Sequence, residues 1–68
     1  MKALRRNSII MFRWNDGLQS RPAPDGMSLT EASYIAVRIQ TTTHNRPGAN
    51  KIRGELLDHE LTNWEASR

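Results

Sequence analysis

Arg46, Lys51 and Arg53 bracket a Pro47-Gly48 break and the first turn of a helical pattern. Cations in a first helical turn oppose the macrodipole, at a cost of about 0.3–1 kcal/mol each. A local rule broken without evident compensation marks a candidate site. Backbone amides at a helix start, ringed by three cations, suit a phosphate or a carboxylate. A second set is Arg5, Arg6, Arg13 and Trp14, joined by Arg21 across a predicted hairpin. Arginine beside tryptophan is a frequent hot-spot pair at protein interfaces, and it also suits stacking on single-stranded bases. These residues form the expected partner-binding set. The competing reading is that the cations are simply solvated and that Trp14 belongs to the core.

Catalysis finds little to build on. The chain has no Cys and two His, His44 and His59, with no nucleophile elbow near either. His59 lies between Asp58 and Glu60, which a helix sends to different sides, so it reads as a surface residue. Glu55 at i−4 from His59 supplies two ligands at most, too few for a metal site. Neither a Walker loop nor a GxGxxG pattern is present. The expectation is a non-enzymatic protein without cofactor or metal.

The elements that must position these residues follow from periodicity and turn chemistry. Residues 1–7 read as a basic lead-in. Residues 8–14, SIIMFRW, are β-branched and aromatic, which predicts a strand. Asn15-Asp16-Gly17 predicts a tight turn, with a short return strand over 18–21 ended by Pro22. Ile10, Phe12 and Trp14 share one face of that hairpin, and Ile9, Met11 and Arg13 the other. Both faces carry apolar bulk, so one is left for a second copy or a partner.

Residues 21–27 connect to a capping box, Ser28 with Glu31, which opens a helix over 29–43. Its apolar face is Leu29, Ala32, Ile35, Ala36, Ile39 and Thr43. Alternation of Ile35, Val37, Ile39 and Thr41 supports a rival strand. The cap favours the helix, because a strand needs no such start. After a break at 44–49, Asn50 is the expected cap of a second helix over 50–66, with the stripe Ile52, Leu56, Leu57, Leu61 and Trp64. The predicted fold is one α+β domain spanning 1–68, an N-terminal β-hairpin packed on two antiparallel helices. The alternative is a three-stranded antiparallel sheet with one C-terminal helix.

Charge narrows the function. Ten Lys and Arg against seven Asp and Glu give +3, unevenly spread. Through Arg53 the balance is +6, and from Gly54 onward it is −3. A basic body suits a polyanion or an acidic protein surface, and eight of the ten cations are Arg, suited to bidentate contacts. The apolar run after Lys2, Arg5 and Arg6 is stopped by Arg13, too short for a signal or spanning segment, so no membrane and a cytoplasmic location are expected. In size and composition the chain is similar to small accessory chains, some of them phage-encoded, that act on nucleic-acid machinery. The expected function is a regulator or inhibitor docking on a larger protein or nucleoprotein assembly, such as a polymerase or nuclease complex. Direct DNA or RNA binding is the alternative, set back by acids in the second helix and by few aromatics.

Overall fold

The computed structural model describes residues 1–15 and 19–68. Three strands, β1 (Lys2–Arg6), β2 (Ile9–Arg13) and β3 (Ser20–Pro22), are followed by two helices, α1 (Leu29–Thr43) and α2 (Ala49–Ala66). The strands form an antiparallel sheet in the order β1-β2-β3. The predicted hairpin corresponds to β2 and β3. Its turn residues Asp16 and Gly17, and Leu18 of the return strand, lie outside the described residues.

Residues 2–6 are a strand, not the expected lead-in. Only Asn7 and Ser8 separate β1 from β2, and Asn7 takes φ 58°. A two-residue hairpin loop needs positive φ, which Asn tolerates better than most side chains. Lys2, Arg5 and Arg6 hid this strand, since charge on an edge strand erases the hydrophobic alternation that a reader looks for.

The helix reading of 29–43 holds over the strand alternative. Ser28 Oγ accepts from the Glu31 amide at 3.0 Å, and Glu31 Oε1 accepts from the Ser28 amide at 2.9 Å. Ala32, Ile35, Ala36, Ile39 and Thr43 are buried along one face of α1, as the helical period requires. The two helices run antiparallel. Glu31 meets Trp64, Arg38 meets Glu60 and Thr43 meets Arg53, so the pairing descends α2 as it ascends α1.

Phe12, fully buried, anchors the sheet to the helices together with Trp14, Ala32, Ala36, Ile39, Leu57 and Leu61. The small side chains of Ala32 and Ala36 let the sheet approach α1 closely, and α1 is the helix that meets β1 and β2. Both helices therefore lie on one side of the sheet. No helix among the described residues is long and apolar enough to cross a membrane.

Glu31 also ties the helices together by accepting from Trp64 Nε1 at 2.8 Å. That bond first, then those from Ser28, hold its carboxyl below the ordinary carboxylate range. A depressed carboxylate pKa stabilises the fold above the unfolded value of about 4.3, and the benefit fades as pH falls through the folded value. Melting temperature should therefore drop on acidification below about pH 4.3, and Glu31→Gln should flatten that acid limb. Thermal melts from pH 2.5 to 6 check it; an unchanged limb in the variant refutes the assignment.

Candidate docking surface

Across antiparallel strands, residues directly opposite one another share a face. The register thus sorts the sheet. Ala3, Phe12 and Arg21 form one row, with Arg5 and Ile10 beside it, on the face toward the helices. The outer face carries three other rows: Lys2–Arg13–Ser20, Leu4–Met11–Pro22 and Arg6–Ile9. An apolar row is flanked on both sides by cations. Leu4, Arg6, Met11, Arg13 and Ser20 line a shallow groove there, and Ile9 is 54 % exposed at its end.

Lys2 stands directly opposite Arg13. Like charges in that position repel, and no carboxylate among the described residues pairs with either. Arg5 and Arg6 likewise have no ion-pair partner among the described residues. The uneven charge of the sequence becomes, in space, a basic sheet backed by helices that hold most of the acids.

The other expected site residues disperse. Arg21 is on the helix-facing row and forms an ion pair with Asp58 of α2, so its charge is already matched. Trp14 is only 6 % exposed and packs in the core, not on the surface as an anchor. Its indole Nε1 is buried with no hydrogen-bond partner among the described residues.

The expected anion site at the start of the second helix does not close. Arg46 and Lys51 are exposed, but Arg53 is 7 % exposed and points inward. Its Nε donates to Thr43 Oγ1 at 2.9 Å and its Nη1 to Asn50 Oδ1 at 3.0 Å. Thr43 Oγ1 in turn donates to the Ile39 carbonyl at 2.7 Å. Thr43 ends α1, where the macrodipole is negative, and α1 has no basic residue of its own in its last turn. Arg53 supplies that missing cation from the neighbouring helix. Asn50 is not the helix cap; Gly48, at φ 68°, occupies that position and gives no side-chain bond. The rule-breaking cation at 53 thus has a structural explanation, which one sequence could not show.

No family model, curated protein or solved structure matches this chain. The site must be read from its own chemistry.

His44 and His59 are both exposed, and the His59 ring lies 3.2 Å from the Asn63 side-chain amide. Among the described residues no group of His, Asp and Glu converges as a metal site would require. The main nitrogen of Met1 donates to Asn15 Oδ1 and Gln40 Oε1. Burial, with the charges of Arg53 and Lys2, holds that amine below its usual value.

Sequence reasoning missed Lys2 and Leu4, because it had no strand there. Ile9 and Met11 share the face away from Phe12 by strand period, but they make no site until β1 supplies the neighbouring strand. Asn7, a residue that tolerates positive φ, was the available signal of a turn between this strand and β2.

Proposed function

We propose that this protein is a small non-enzymatic cytoplasmic regulator or inhibitor. It docks the outer face of its sheet on a larger protein or nucleoprotein assembly, for which a polymerase or nuclease complex is the favoured class. The repelling Lys2–Arg13 pair beside the uncovered Leu4–Met11–Pro22 row carries this reading. Folding gains nothing from that pair, and an acidic rim around an apolar knob on a partner would relieve it. A second copy would present the same cations and repel. Direct nucleic-acid binding is weakened by the burial of Trp14 and Phe12, which leaves no aromatic ring among the described residues of this face for bases to stack on.

Arg13→Glu separates stability from function. Opposite Lys2 it converts repulsion into attraction, so the fold should gain about 0.2–1 kcal/mol. Partner capture should fall at least tenfold. The check is urea denaturation beside quantitative capture from lysate, with and without nuclease, using Arg46→Glu/Lys51→Glu as a control expected to bind normally. Full capture by Arg13→Glu refutes docking through this face. Capture that disappears with nuclease, together with a steep salt dependence on random oligonucleotides, selects the nucleic-acid reading instead.

A further inference from the structure

Resting on that docking reading, we propose that the partner contributes an acidic extended segment that pairs with β1 as a fourth strand. The sheet order leaves β1 at an edge. The Ala23 amide donates to the Ile10 carbonyl at 2.8 Å and the Trp14 amide to the Gln19 carbonyl at 3.2 Å. The backbone groups of Ile10, Phe12 and Trp14 therefore face β3, and by strand alternation those of Ile9, Met11 and Arg13 face β1. In the observed register these meet Arg6, Leu4 and Lys2. Ala3 and Arg5 are left with their N–H and C=O turned outward. No backbone hydrogen bond outside the sheet reaches either among the described residues.

Charge decides what joins this edge. Two copies of β1 paired antiparallel about Leu4 would set Lys2 against Arg6 at both ends, with Arg5 beside them. Such juxtaposition is a standard guard against self-pairing. An acidic strand reverses every sign. It also widens the contact. A five-residue, three-stranded face spans roughly a few hundred Å², short of the ~800 Å² per partner of a stable interface, so strand addition supplies contact that the face alone lacks. The preferred segment places carboxylates opposite Lys2, Arg5 and Arg6, a β-branched residue opposite Leu4 and a small one opposite Ala3. Read antiparallel to β1, that is Glu-Glu-Val-Thr-Glu. Main-chain bonds give affinity and alternate side chains give selectivity, as in other strand additions.

The probe is that pentapeptide, flanked by Ser and capped at both ends, titrated into the 15N-labelled full chain. Two derivatives have the same charge. N-methylation at Thr removes an amide aimed at Ala3, and N-methylation at Val removes one aimed away. The expected result is saturable binding with new exchange protection at the Ala3 and Arg5 amides. Affinity should fall about fivefold to tenfold for N-methyl-Thr and change less than threefold for N-methyl-Val. Equal affinity of the two derivatives, with shifts centred on Leu4 and Met11, overturns strand addition and leaves sheet-face docking standing. Absence of saturable binding at millimolar peptide also overturns it. A second arm uses the partner captured by the native chain. Arg5→Pro deletes the outward N–H without touching the β2 ladder, and Arg5→Gln retains it. Loss of capture with Arg5→Pro but not Arg5→Gln supports strand addition, provided circular dichroism shows both folded. Equal capture by both overturns it, whereas retained capture by Arg13→Glu overturns the docking reading itself.

Discussion

Phe12→Ala should leave this protein largely unfolded at 25 °C. The ring is fully buried between the sheet and both helices, and Phe→Ala in such a place costs about 3–5 kcal/mol. A single core in a chain this small yields only about 3–5 kcal/mol in all. The neighbouring position gives the opposite result. Met11 lies on the outer face beside Leu4 and Pro22, so Met11→Ala should cost about 1 kcal/mol or less and instead weaken partner capture. Urea melts followed by circular dichroism read both variants. If Met11→Ala proves as damaging as Phe12→Ala, the helices do not cover the face assigned to them.

Thr43→Val should destabilise by about 1–3 kcal/mol although it conserves shape. It removes the acceptor of Arg53 Nε and leaves a buried, charged donor one bond short. Arg53→Met should be nearly neutral, because replacing a buried ion with a hydrophobe of similar volume also removes its desolvation cost. The double variant should lie close to Arg53→Met alone, so the two effects are strongly non-additive. Denaturant midpoints of the four proteins check the cycle. Additive losses would mean that Arg53 does not depend on Thr43. The asymmetry also explains why charge reversal at residue 53 is a poor probe of binding: it would unfold the helix junction before it tested a surface.

Some elements were legible because their signals are local. The Ser28–Glu31 box fixed the start of α1 against a dense run of β-branched residues, since both of its bonds form within one turn. The apolar stripes of both helices, and the split of Ile10 and Phe12 from Ile9 and Met11, follow from 3.6- and 2-residue periods that need no tertiary information. β1 was not legible. Its charged residues mimic a solvated tail, and its strand character comes from the Asn7 turn and from pairing with β2. The role of Arg53 is hidden in the sequence for a related reason. A cation in a first helical turn looks unfavourable until the negative end of another helix is brought beside it.

By itself the sequence determined the helical elements, the apolar faces and an excess of positive charge ahead of Gly54. Those depend on neighbours within a turn or two along the chain. Only the tertiary structure decided which cations remain available. Packing neutralised Arg21 with Asp58, buried Arg53 against Thr43 and left Lys2, Arg6 and Arg13 gathered on the sheet face that no helix covers, with Arg5 exposed on the edge strand beside them. Whether a charge is spent inside the molecule or offered outside it depends on residues far away in the chain, and distance in sequence says nothing about them.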